Sequence, residues 1–126
     1  MRILMRFTQN SSSARNVIRA YGAGEIRIND SVFRDPLIVD PTEIRPGPAI
    51  SGPDELTAAH AAPLLTLEPE LVLVGTGVRQ VFPATEFSAP LLAAGVGVEI
   101  MDTGAACRTF NVLVSEQRRV VALLLP

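Results

Sequence analysis

Three short apolar runs in the second half of the chain constrain its fold more than any other feature. They are "LVLVG" at residues 71–75, "VGVEIM" at 96–101 and "RRVVALLL" at 118–125. Each has the length of a strand, and a continuous apolar run reads as a strand covered on both faces. Between them lie "TEFSAPLLAAG" and "DTGAACRTFNVLVSE", which read as helices. Gly95 is the C-terminal stop of the first. Pro90 lies inside that segment, so its helix is expected to begin only at Ser88. In the second, Asp102 and Thr103 are N-cap types, and Ala106, Phe110, Leu113 and Val114 fall on one helical face. Strand, helix, strand, helix, strand implies a largely parallel sheet with helices packed on it, an α/β fold.

The first half is less regular. "GEIRINDSVFRDPLIV" reads as a hairpin: Ile26 and Ile28 alternate with polar residues, Asn29-Asp30 supplies the turn, and Val32-Phe33 starts the return strand. "LIV" after Pro36 is expected to extend that pairing. Residues 40–54, "DPTEIRPGPAISGPD", hold so many breakers that a loop without regular structure is expected. Asp54 is then placed to cap a helix through "ELTAAHAAPLL", with Pro63 ending or kinking it.

Composition narrows the function classes. A chain of 126 residues with 48% hydrophobic residues and mean hydropathy +0.30 is one globular domain by length and composition. The formal charge of −2 argues against nucleic-acid binding, which needs a basic footprint. All 11 basic residues are arginine, which fits either a coding bias or forked recognition of anions. One cysteine excludes an internal disulfide, and with one histidine it leaves no basis for a metal site or another cofactor. No apolar stretch approaches the roughly 20 residues of a membrane span. The first 24 residues contain Arg2, Arg6, Arg15 and Arg19 and no acid. They read as a loosely ordered arm, with 1–17 outside a single domain at 18–126. The arm is basic enough to touch a membrane surface and lacks the period of a transit peptide and the apolar core of a secretory signal.

"LVLVGTGVRQ" raises the question of a nucleotide site. Gly75 and Gly77 supply two glycines of a dinucleotide fingerprint, but the third position is Gln80. The segment "VRQVFPAT" stands where a helix should open, so the Rossmann reading fails. What survives is geometric. Gly75-Thr76-Gly77 follows one strand and Asp102-Thr103-Gly104 another; if the strands are parallel, both loops leave one edge, where such sheets form binding crevices. Two readings stand: glycine loops that admit a small anionic ligand or a partner chain beside a helix N-terminus, or tight turns that satisfy their own backbone donors.

Cys107, in the first turns of that helix, lacks a base at a telling spacing and reads as a small buried hydrophobe. Arg108 and Asn111 share a helix side, where they either contact a ligand or hold a neighbouring loop. His60 reads as exposed or core-satisfied, and Glu68 and Glu70 as a solvated turn around Pro69. No acid, base, nucleophile and oxyanion donor can be put together from these residues, which favours a non-catalytic protein.

"LEPELVLVGTG" together with "GVGVEIMDTGAACRTFNVLVSEQRRVVALLLP" resembles a family of small proteins of unassigned function that includes the mitochondrial respiratory complex I assembly factor 3. The likeness extends over about residues 18–126. It implies a three-layer α/β domain: a central mixed sheet with one antiparallel strand, helices against it, and a small hairpin layer. It also implies a role in assembling NADH:quinone oxidoreductase, with complex I subunits or membrane-protein insertion machinery as partners, and no established catalytic residues. Many bacterial relatives carry a tryptophan before the first helix, where this chain has "RPGPAISGPDEL". The arm, without a convincing presequence, favours a bacterial cytoplasmic protein that works at the inner face of the membrane. The candidate contact residues are therefore Gly75, Thr76, Gly77, Asp102, Thr103, Arg108 and Asn111.

Overall fold

The computed structural model describes residues 15–126. Most of the basic arm therefore lies outside the described residues. The three apolar runs form β6 (Leu71–Gly75), β7 (Gly97–Met101) and β8 (Val120–Leu124), all mutually parallel, with β6 between the other two. They belong to a five-stranded sheet completed by β4 (Leu37–Val39) and β5 (Ile44–Pro46), in the order β5-β4-β8-β6-β7. A separate sheet joins β1 (Ile18–Gly22), β2 (Glu25–Ile28) and β3 (Ser31–Phe33) in antiparallel order.

Two apolar cores lie on the two faces of the large sheet. On one face Leu73, Ala122 and Leu124 meet α3 (Thr103–Ser115), and Ile18, Ile26 and Ile28 of the small sheet close the same core. On the other face Val72, Val74, Val121 and Leu123 meet Phe87 and Leu91 of α2 (Thr85–Ala93), and Leu64 of the one-turn α1 (Ala62–Leu65). The chain is thus a three-layer α/β domain with a mixed, largely parallel central sheet.

Local chemistry accounts for the start of α3 and the end of α2. Asp102 caps α3, its Oδ1 accepting from the Ala105 N–H at 2.9 Å. At the end of α2 the Gly95 N–H reaches the Leu92 carbonyl and the Val96 N–H the Leu91 carbonyl, both at 3.0 Å. That double closure requires a left-handed residue, and Gly95 has φ +79°.

Four expectations are corrected. The "LIV" segment does not lengthen the hairpin; as β4 it pairs with β8 and β5, because all three residues are buried and need cover on both faces. Inside the breaker-rich loop, Ile44–Pro46 forms an edge strand, where a terminal proline is tolerated. The Asp40 carboxylate turns the chain into it by accepting from the Thr42 and Glu43 N–H groups at 2.8 and 2.6 Å. No continuous helix follows Asp54, which lies within a 3-10 turn at Pro53–Glu55. Leu56 then runs extended to bury its side chain, and a second 3-10 turn, Ala58–Ala61, starts afresh with His60 Nδ1 accepting from the Thr57 N–H at 2.9 Å. Pro63 stands in the first turn of α1, where its missing N–H costs little, so it starts that turn rather than ending it. Finally, α2 begins at Thr85 rather than Ser88; the acceptor that Pro90 leaves unused is the Glu86 carbonyl in the exposed first turn.

A further correction falls on 18–24, the end of the 24-residue segment that reads as loosely ordered. Residues 18–22 are β1, and Gly22, Ala23 and Gly24 turn it into β2 with φ of +133°, +53° and +76°.

Phe110 is fully buried between α3, the large sheet and the small one. Phe110→Ala should lower the unfolding free energy by about 3–5 kcal/mol, read as a fall in the urea midpoint.

Candidate functional site

β6 and β7 end level with one another, Gly75 beside Met101, so the loops that follow them leave the same edge of the sheet. There they bind each other. The Thr76 N–H donates to the Met101 carbonyl and the Thr103 N–H to the Gly77 carbonyl, both at 2.9 Å. The Thr103 hydroxyl accepts from the Gly77 N–H at 2.7 Å and donates to the Leu125 carbonyl at 2.6 Å. The Leu125 N–H closes onto the Gly75 carbonyl at 2.9 Å, so one buried hydroxyl joins the ends of all three parallel strands. Thr76 is equally occupied: its hydroxyl contacts the Arg79 carbonyl at 2.5 Å and accepts from the Val81 N–H at 3.0 Å.

The glycines serve this closure. A Cβ on Gly75 would lie 3.0 Å from Thr103 Cα, so its absence lets α3 approach the strand end. Gly77 has φ +101°, a backbone state open to few other residues. A Cβ on Gly104 would meet Tyr21 Cε1 at 2.7 Å, because the Tyr21 ring lies against that turn of the helix.

Between this paired edge and the β1–β2 turn lies a cleft of about 340 Å³. Tyr21 and Gly22–Glu25 form one wall; Gly77, Val78, Asp102–Gly104 and Pro126 form the other. Five of the predicted residues, Gly75, Thr76, Gly77, Asp102 and Thr103, are thus brought to one edge, three of them lining the cleft itself. The charged side chains of the lining are the carboxylates of Glu25 and Asp102, and among the described residues no arginine lines it. Glu25 is paired with Arg34 at 2.8 Å, and Asp102 is engaged as the helix cap. Two carboxylates, with the Gly77 N–H already spent on Thr103, give an anion little to bind.

Arg108 and Asn111 support the cleft from outside its lining. The Arg108 guanidinium donates to the Tyr21 hydroxyl and stands 5.7 Å from the ring centroid, which holds Tyr21 beside Gly104. Asn111 takes both backbone groups of Ile18, its Oδ1 accepting from the N–H and its Nδ2 donating to the carbonyl, each at 2.9 Å. Its amide therefore fastens β1 to α3. Cys107 is 1% exposed, and burial pushes its thiol up to about 12. At the opposite edge, Glu70 receives the Arg119 N–H at 2.9 Å and Arg118 Nε at 3.1 Å, which holds its carboxyl below the usual range.

Sequence reasoning missed Tyr21 and the β1–β2 turn as a wall of the cleft, although "YGAG" is a strong turn signal. It also missed the exposed apolar residues beside the cleft. Val78 is 99% exposed and Phe82 70%, in the segment between the glycine loop and α2. Apolar side chains standing outside any helical or strand period were the available signal.

Comparison with known proteins gives this geometry its context. A family model described as "Protein of unknown function (DUF498/DUF598)" matches residues 18–125. The chain is similar to NADH dehydrogenase [ubiquinone] 1 alpha subcomplex assembly factor 3 of Danio rerio, with 34% identity over 94% of this chain and 68% of the relative. It is 28% identical to the "13 kDa major membrane protein" of Francisella tularensis, over 97% of this chain and 100% of that protein. A crystal structure of a Bordetella parapertussis protein superimposes with TM-score 0.85 and 44% identity, covering 91% of this chain and 98% of that one. Among the described residues, no helix is long and apolar enough to cross a membrane.

Two outcomes are expected at this edge. Thr103→Val keeps the shape but leaves the Gly77 N–H and the Leu125 carbonyl unpaired; a loss of about 2–4 kcal/mol in urea unfolding should follow, with Thr103→Ser much milder. Cys107 should resist alkylation at pH 8 in the folded protein and react once unfolded. Because folding raises its pKa above the ordinary value of 9.0, its neutral form stabilises the fold fully below that pH. That contribution is lost as pH rises from there toward about 12.

Proposed function

The chain belongs to the DUF498/DUF598 family and is similar to complex I assembly factor 3, and on that premise we propose that it is a non-catalytic assembly protein. It binds membrane-protein subunits, those of respiratory complex I foremost, while they are put together. The contact surface is the carboxyl edge of the parallel strands: the cleft and the 76–84 loop beside it.

One observation carries this reading. Val78, which lines the cleft, stands almost wholly in solvent, and Phe82 is 70% exposed four residues further along the same loop, whose base is hydrogen-bonded by Thr76 and Thr103. A stiff loop that displays apolar side chains gains free energy by covering them against another protein. The surrounding chemistry agrees: the thiol is buried and neutral, and the glycine-loop donor that an anion would need is engaged. A small anionic ligand in the cleft, the other sequence reading, draws no support from two lining carboxylates. The relatives' names fit both parts of the proposal, an assembly factor in one case and a membrane protein in the other. The contact with the membrane is peripheral, made through the partner.

The test is cross-linked affinity purification from the protein's own cells, membrane fraction included, comparing the wild type with the double variant Val78→Asp, Phe82→Asp. Complex I subunits should be recovered above a tagged control with the wild type and fall at least ten-fold with the variant, whose fold should be unchanged by circular dichroism. Equal recovery with both proteins, or no membrane-protein partner with either, would remove the loop and the proposal with it.

A further inference from the structure

β7 is the outer strand of the large sheet, and its free edge lies beside the same loop. The Gly97 N–H bonds to the Glu70 carbonyl at 3.1 Å and the Met101 carbonyl to the Thr76 N–H at 2.9 Å, so odd-numbered positions of β7 face β6. Strand alternation therefore turns the N–H and C=O groups of Val98 and Ile100 outward. Their side chains pack on the α2 face of the sheet, and Glu99 projects on the other side, exposed.

Among the described residues a single group occupies this edge. Gln80 Nε2 donates to the Ile100 carbonyl at 2.8 Å, a side-chain amide standing where the next strand's backbone would donate. Val98 keeps an outward donor and an outward acceptor, the pair that one residue of an antiparallel strand takes up. The residue facing Glu99 would then be a non-hydrogen-bonded neighbour, the closer of the two cross-strand geometries. Glu99 forms no ion pair among the described residues. A cation opposite it is favoured, whereas a second copy of this chain in the symmetric register would set Glu99 against Glu99.

We propose that the β7 edge accepts an extended segment of the partner protein as an added strand, with a basic residue facing Glu99 and the Gln80 amide yielding its place at Ile100. This rests on the partner-binding reading above and names how the partner is held. The apolar loop and the strand edge are continuous, since Gln80 lies between Val78 and Phe82, so one polypeptide can engage both.

The probe is a capped nine-residue peptide of alternating valine and threonine with arginine at its centre, compared with the same peptide carrying glutamate there. Binding is followed by fluorescence anisotropy and by amide exchange of Val98. The arginine peptide should bind about five-fold more tightly than the glutamate peptide, the preference that opposite against like charges produce across a strand pair. Glu99→Arg, an exposed substitution, should reverse the preference, and Gln80→Ala should tighten binding of the arginine peptide. Val98 exchange should slow on binding. Failure of either peptide to bind Gln80→Ala, a preference unmoved by Glu99→Arg, or unchanged Val98 exchange would overturn the proposal. The peptide has no anchor for the cleft, so such a failure leaves the assembly reading to the cross-linking comparison.

Discussion

The hydroxyl of Thr103 is the point on which this architecture turns. Three parallel strands leave their last backbone groups at one edge, where no further strand residues can pair them. The Thr103 hydroxyl accepts from one such donor, the Gly77 N–H, and donates to one such acceptor, the Leu125 carbonyl, while its own N–H closes on the Gly77 carbonyl. Its position as the first residue of α3, directly after the Asp102 cap, makes this possible. The helix start, the glycine loop and the end of the central strand become one hydrogen-bonded unit. Buried polar groups tolerate little else, since an unpaired donor or acceptor in a dry site costs more than a made hydrogen bond contributes on balance.

The same closure anchors the loop that carries Val78 and Phe82, the two most exposed large apolar side chains among the described residues. Thr76 holds the base of the loop at Arg79 and Val81, and with the loop so held Val78 and Phe82 point into solvent. Covering two such side chains is worth roughly 3–6 kcal/mol, which before the cost of association supports only a weak contact. Weak contact suits the proposed role, in which the partner is released once assembly is done. The open edge of β7 adds backbone hydrogen bonds to the same surface, and with them a preference for a particular sequence.

The sheet was legible because burial writes itself into composition. "LVLVG" and "VVALL" contain no polar residue, so they could only be covered on both faces, and the helix after Asp102 carries its cap and its apolar stripe in plain view. The family resemblance, carried by "EPELVLVGTG" and "DTGAACRTFNVL", holds across residues 18–125. Where the reading failed, tertiary contacts overrode local signals. Leu37–Val39 follows a hairpin in sequence but is drawn to β8 by the need to bury three apolar side chains at once. Leu56 breaks a segment of good helix formers because its burial outweighs their propensity. The candidate site divides along the same line. Its glycine loops lie next to each other because parallel strands require it, whereas Asn111 and Arg108 found their partners in β1, 93 and 87 residues away, at distances no local pattern encodes.

The central claim is that this edge of the sheet, and no other part of the surface, meets a membrane-protein partner. Site-specific photocross-linking in living cells tests it most directly, with the reactive group placed at position 82 in one strain and at exposed position 116, at the far end of α3, in another. Adducts to complex I membrane subunits from position 82, with few or none from 116, are the result expected. Equal adducts from both positions, or none from position 82, would contradict the account.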